Sequence, residues 1–201
     1  ATMSNNNPSL QFDPSVKDNF AGTLKFILNK FLESVDGMLP AQVVAYNRAT
    51  EPNFVQVQPL IYLVTTDNSA ISRPQIAKIP LFTNGGGGFF VSFNIAPGDL
   101  GWIKANDRDI SLFLQSFKAE KPNTLRKKSF SDAVFYPDVM RNFTISPEDL
   151  SGLVISSVDG SVKIVLNTGM ITLTAPLITM NTALLQVNGN IAATGTITPG
   201  S

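Results

Sequence analysis

The chain contains no histidine and no cysteine. Without histidine it lacks the commonest general base, the Ser-His triad and most transition-metal sites. Without cysteine it has no disulfide, no thiol nucleophile and no zinc-thiolate centre. Charge of one sign is also missing in net terms: fifteen basic residues balance fifteen acidic ones, so no overall field draws the protein to nucleic acid or to an anionic membrane. No apolar run approaches the ~20 residues of a membrane span. The Asn- and Pro-containing start, residues 3–14, lacks the charged-then-apolar layout of a signal peptide. These absences predict a protein that is soluble when made. Ala1-Thr2 ahead of Met3 read as a leftover of expression and are set aside.

Scarcity is sharpest in residues 151–201. They hold two charged residues, Asp159 and Lys163, and no aromatic; every other charge and every Phe, Tyr and Trp lies before them. Aliphatic residues sit there among Thr, Asn, Ser and Gly in short runs of two-residue alternation, with turn signals at Asp159-Gly160, Asn167-Thr168-Gly169 and Asn188-Gly189-Asn190. That is strand patterning. A segment of this size rarely gains more than about 3–5 kcal/mol from its own core, and it has neither Cys nor metal ligands to staple it. It is therefore expected to find its core in other copies of itself, with Val162, Ile164, Leu166, Ile171 and Leu173 as the inward stripe.

What is present before residue 150 divides in two. Asp13-Pro14 predicts a helix start and Gly37 a stop, with Phe20, Leu24, Ile27, Leu28, Phe31, Leu32 and Val35 forming one apolar stripe. The stripe fits a helix packed on its own domain or an arm docked on a partner. From residue 38 the pattern turns to strands, over 41–46, 54–65, 75–82, 89–95 and 100–114, the last interrupted at 106–109. Five short strands with polar turns suggest a small barrel or sandwich. Residues 116–129 read as a solvated basic loop, and residues 131–149, with Pro137 and Pro147, as the linker. Trp102 is expected in the core of this domain.

Three groups invite chemistry. Gly85-Gly86-Gly87-Gly88 is followed by a strand and not by a helix with a Lys-Ser/Thr pair, so it is a loop of special backbone rather than a phosphate cradle. Asp99, Asp107 and Asp109 are imaginable as the paired acids of a glycosidase. The two-residue spacing of Asp107 and Asp109 around Arg108, however, favours an Arg-bridged or backbone-capping turn.

In order, Pro80 to Phe82, the four glycines, Pro97-Gly98-Asp99, the Asp107-Arg108-Asp109 turn and Arg126-Lys127-Lys128-Ser129-Phe130-Ser131-Asp132-Ala133-Val134-Phe135-Tyr136-Pro137 resemble the N-terminal domain of phage central-spike proteins. These are the membrane-piercing baseplate proteins of contractile-tailed phages, related to gpV-like baseplate assembly proteins. The resemblance covers about residues 38–140 by motif and the remainder by architecture. It implies a mainly β homotrimer with an N-terminal helix and arm (1–37), an OB-like β-barrel domain with its linker (38–149), and an intertwined triple-stranded β-helix shaft (150–201). It further implies a structural, non-enzymatic role in the tail baseplate of the virion, with the hub and tail-tube proteins as partners, transient contact with the host outer membrane, and no nucleic acid. Many relatives end in an apex where His-x-His from each chain holds one iron. With no His, this chain is expected to carry no cofactor or metal: the apex is truncated, a separate protein caps the shaft, or the tip needs no metal. The competing expectations are a trimeric β-helix tail protein that degrades polysaccharide, against which the scarcity of acids after residue 150 argues, and an OB-fold oligonucleotide-binding module, disfavoured by zero net charge.

Overall fold

The computed structural model describes residues 20–33, 35–65 and 68–195. The chain divides into two compact units, Ala1–Asn142 and Phe143–Ser201.

The first unit opens with α1 (Phe20–Glu33); the Asp13-Pro14 start signal lies outside the described residues. Its apolar stripe is not covered by the barrel that follows, since Leu24, Ile27, Leu28 and Leu32 all remain exposed. Of the two expectations for this helix, packing on its own domain is the one the structure overturns.

The barrel is built from β1 (Met38–Tyr46), β2 (Phe54–Pro59), β5 (Ile76–Pro80), β8 (Leu100–Asn106) and β9 (Ser129–Pro137); two small hairpins, β3–β4 (Leu63–Val64, Ala70–Ile71) and β6–β7 (Asn84–Gly86, Phe89–Val91), stand outside its sheet. Sheet order is β5-β2-β1-β8-β9, antiparallel throughout. The two edges then meet. Leu81 bridges Phe135 in parallel, and the Phe82 N–H donates to the Phe135 carbonyl at 2.8 Å, so the sheet is nearly closed and barrel-like.

Alternation decides what fills it. Ala41 and Val43 from β1, Val55 and Val57 from β2, Ile79 from β5, Ile103 and Ala105 from β8, and Ala133 and Phe135 from β9 point inward and are buried. Gly101 faces the same interior beside the Phe135 ring: a Cβ at that position would run into that ring and the Tyr136 carbonyl. A glycine on β8 thus makes the space that the largest core side chain occupies.

Three expectations for this unit are corrected. The expected linker over 131–149 begins later, because Ser129–Pro137 is a nine-residue core strand. Its Pro137 ends the strand, where a missing N–H costs the ladder nothing. The end of the expected strand 100–114 is instead the helix α2 (Ser111–Ser116), closed by Phe117 in the left-handed conformation at φ 52°. Trp102 is on the outer face of β8, between cross-strand neighbours Pro40 and Tyr136, with its indole N–H donating to Asp138 at 2.7 Å. One residue of register separates it from the core position taken by Ile103.

The second unit begins with a 3-10 turn, Pro147–Asp149, and continues as a three-stranded antiparallel meander, β10 (Leu153–Ser156), β11 (Lys163–Asn167) and β12 (Met170–Thr174). No helix or strand follows among residues 175–195. The expected intertwined β-helix is not shown: the described residues of this unit form a self-paired meander followed by residues without a regular element.

Truncating the barrel's central side chain, Phe135→Ala, removes ring packing at the closure and is expected to cost about 3–5 kcal/mol. Urea unfolding followed by the fluorescence of Trp102 measures it; a loss under about 1 kcal/mol would show that the closure does not rest on this ring.

Candidate functional site

The residues singled out in the first unit separate into three local devices. The Pro97-Gly98-Asp99 sequence makes a type II turn: the Asp99 N–H donates to the Ala96 carbonyl at 3.1 Å, and Gly98 has φ 100°, which the third position of this turn requires. The Asp99 carboxylate accepts from the Ala96 N–H at 2.8 Å, locking the turn from its side chain. The turn docks on β1 through Gly98 N–H to the Val43 carbonyl (2.9 Å) and Val43 N–H to the Asp99 carbonyl (2.8 Å). This is where the β1–β2 register shifts between Val43 and Ala45. The turn supplies partners to a bulged strand.

The four glycines form a hairpin. Gly87 and Gly88, at φ 60° and 87°, are the two turn residues between β6 and β7, as the primed hairpin turn demands. Gly85 is opposite Phe90, and a Cβ there would come within 2.8 Å of the Phe89 carbonyl. The run thus needs glycine for two reasons, positive φ at Gly87 and Gly88 and a close backbone approach at Gly85. The hairpin presents Phe89 at 83% exposure, with Phe90 and Phe93 also exposed.

The acidic turn is a buried charge cluster. Asp109 is 5% exposed; one carboxylate oxygen accepts from the Ser111 N–H at 2.9 Å, and the other accepts from the Thr124 hydroxyl at 2.7 Å and from Arg126 at 3.3 Å. Arg126 also donates to both oxygens of buried Asp132, each at 3.1 Å, in the fork geometry that suits a carboxylate. The hydrogen bonds from Ser111 and Thr124, and the Arg126 charge, hold the Asp109 carboxyl well below the usual carboxylate range. Asp132 raises the Arg126 pKa in return. Every oxygen of the two buried carboxylates is committed. The cluster ties the loop after α2 to the start of β9 and keeps Asp109 ionised, with no proton to give.

The expected bridging arginine is corrected here: it is Arg126, not Arg108, which is exposed. Asp107 is outside the cluster, 82% exposed and paired with Lys128 at 2.8 Å. Nothing in the sequence spacing linked Asp109 to Asp132, because the arginine that joins them comes from a loop and its partner from a strand read as linker. A second connector was missed for the same reason. Asp36 accepts from the Phe130 N–H at 2.9 Å and from Arg73 at 3.3 Å, fastening the entry to β1 onto β9.

In the second unit, the meander brings the nominated shaft residues to one side. Leu153, Leu166 and Ile171 form one cross-strand row, and Ile155, Ile164 and Leu173 form the next; Val162 precedes them on the same face. Every one of these side chains is 38–67% exposed. Within a single chain the expected core residues are thus a bare aliphatic face. The side chain buried by the chain itself is Val165 on the opposite face, at 1% exposure. Lys163 shares that opposite face and pairs with Asp149 and, at 3.6 Å, Glu148. Asp149 foremost, with Glu148, raises the Lys163 pKa.

Residues 39–138 match the family model of the phage protein Gp138 N-terminal domain. The match supports a baseplate-type bacteriophage protein and a virion component. It begins inside β1 and ends at Asp138, the acceptor of the Trp102 indole N–H, so it spans the barrel and includes the strand β9 that the sequence reading took for linker. The glycine hairpin, the Pro97 turn and the Asp109 cluster all lie inside the matched residues 39–138; α1 and the second unit lie outside them. No curated protein matches the chain. The apex iron implied by the resemblance has no imidazole to hold it, and among the described residues no group of three or more His, Cys, Asp or Glu is placed to bind a metal. Among the same residues no helix is long and apolar enough to cross a membrane.

A carboxyl whose folded pKa is depressed gives stability that is present above its ordinary value and lost as pH falls toward the folded one. Asp109 is such a group, so barrel stability is expected to fall below about pH 4. Asp109→Asn lowers the melting temperature at neutral pH and flattens that acid dependence. Equal acid slopes for variant and parent, in melts read by Trp102 fluorescence, would remove the cluster from this role.

Proposed function

We propose that this protein is a homotrimeric central spike of a contractile-tail baseplate, and that it acts mechanically, not enzymatically. We read the barrel as the OB-like domain that seats the spike among the hub and tail-tube proteins, and residues 150–201 as the shaft that crosses the host outer membrane when the tail contracts. The observation that carries this is a conjunction: a match to the Gp138 N-terminal domain over the barrel, followed by a unit whose aliphatic face has no cover in its own chain and whose sequence is free of charge from Ile164 onward. A face of that kind in water needs other copies. A thin rod with few charges suits passage through a membrane.

Light scattering tests the oligomer directly, with a mass near three times 21.7 kDa expected for the intact chain. Deleting residues 151–201 is expected to leave a soluble barrel of lower thermal stability; an equally heat-resistant trimer would place the assembly contact elsewhere. Substitutions on the meander sharpen the test. Ile171→Lys and Leu173→Lys place three like charges near one axis, at several kcal/mol each, whereas Thr172→Lys points to the other face and is expected to be mild. If all three variants melt alike and keep the parent mass, the aliphatic face is not an assembly surface.

A further inference from the structure

Residues 175–195 differ from the meander before them. The meander satisfies its backbone within the chain through two antiparallel ladders. Among the described residues, 175–195 make no backbone–backbone hydrogen bond; what they make are short side-chain contacts, such as the Thr182 hydroxyl to the Leu184 carbonyl at 2.9 Å. The stretch is uncharged, and Leu177, Met180, Leu184 and Ile191 are exposed. An uncharged segment whose backbone groups are unpaired is open to pairing with another chain. Its own pattern fixes the pairing poorly, because Leu177-Ile178 and Leu184-Leu185 each break the two-residue alternation and the remainder is largely Thr, Ala, Asn and Gly.

The meander has what this stretch lacks. Its open face carries two rows of three bulky aliphatics at fixed register, and its other face is occupied by its own chain, through Val165, Lys163 and the Pro147–Asp149 turn. Only one face is therefore available. It carries no charge that an unrelated charged partner would complement.

We propose that the β10–β12 face is a registration surface: it meets the same face of other copies, and that contact sets the alignment in which residues 175–195 pair between chains. The occupant is a second copy because the surface and the unpaired segment following it share one chemistry, apolar and uncharged, and are joined directly at Ala175-Pro176. The inference rests on the trimer reading and adds to it a division of labour. The meander is formed within each chain before assembly, and the strand after it zips between aligned copies. Without the meander, neighbouring registers of 175–195 are close in energy.

The absence of cysteine allows a direct probe. Val187→Cys labelled with pyrene reports whether the same position of different chains lies side by side, through excimer emission. The label is read in the parent, in Ile164→Thr/Leu173→Thr, which removes one cross-strand pair while keeping β-formers, and in Thr172→Lys as the opposite-face control; light scattering gives the mass and Trp102 fluorescence the state of the barrel. The expected result is a strong excimer band in parent and control, and loss of that band in the double variant, as trimer or as monomer, with the barrel folded. A trimeric double variant with the parent's excimer band overturns the registration role and leaves the trimer reading standing. A trimeric parent without excimer also overturns it. A monomeric parent overturns the trimer reading itself. Should the double variant lose its barrel signal, Ile164→Val/Leu173→Val, a milder reduction of the same pair, decides by the same band.

Discussion

The first unit depends on a single closure. Phe135 fills the barrel with its ring and closes it with its carbonyl, which accepts from the Phe82 N–H where β5 and β9 come together. Both halves of that arrangement need other residues to give way. Gly101 clears the ring's place, and the parallel bridge at Leu81 needs the chain between β5 and β8 to leave the sheet, which it does as the glycine hairpin and the Pro97 turn. The polar devices are arranged around the same strand. Asp36 holds its first turn at Phe130, Arg126 holds Asp132, and Trp102 spans its last residues to Asp138. A strand that closes a sheet is paired in the ladder on one side only, and side-chain hydrogen bonds supply much of the rest.

The second unit inverts this economy. Its sheet is regular, yet it buries one large apolar side chain, Val165, and leaves the opposite face open. Three short strands with one face bare are marginal alone. The two units therefore differ in where their stabilisation lies: within the chain for the barrel, between chains for the remainder in the reading proposed here. That difference is already visible in composition. Aromatics, which fill a core within one small domain, end at Phe143, and the charges that solvate its surface dwindle to Asp159 and Lys163 once the second unit's meander begins.

How much was legible follows from the kind of signal each element carries. Short-range patterns were readable: the Gly87-Gly88 turn, the Pro97-Gly98-Asp99 turn and the alternation of 162–173 all depend on residues within a few positions of one another. The strand β9 was lost because Pro137 and the basic run before it read as loop, although Ala133-Val134-Phe135-Tyr136 carries the β-branched and aromatic content of a strand. Helix α2 was lost because six residues are too few to show a helical period, and its start is set by the Asp109 carboxylate. The Arg126 cluster was beyond local reading altogether. It joins residues 109, 124, 126 and 132, and the barrel alone brings them together.

The two charges between β10 and the end of β11, Asp159 and Lys163, explain why the sheet has a definite bare side. Asp159 sits in the turn between β10 and β11, where the Ser157 hydroxyl and the Ser161 N–H and hydroxyl lower its pKa to about 2 and keep it ionised in all but strong acid. It marks a turn that cannot be drawn into an apolar ladder. Lys163 begins β11 on the face that carries Val165, and its ammonium is neutralised by Asp149 and Glu148 of the same chain. A slip of one residue in β11 would exchange the two faces, moving Lys163 among the aliphatic rows and away from both carboxylates. That alternative buries an unpaired ammonium wherever the rows are covered, a cost of several kcal/mol, while the observed register pays nothing of the kind. One lysine and the short acidic turn before the sheet thus decide which side of an otherwise uncharged panel is left bare.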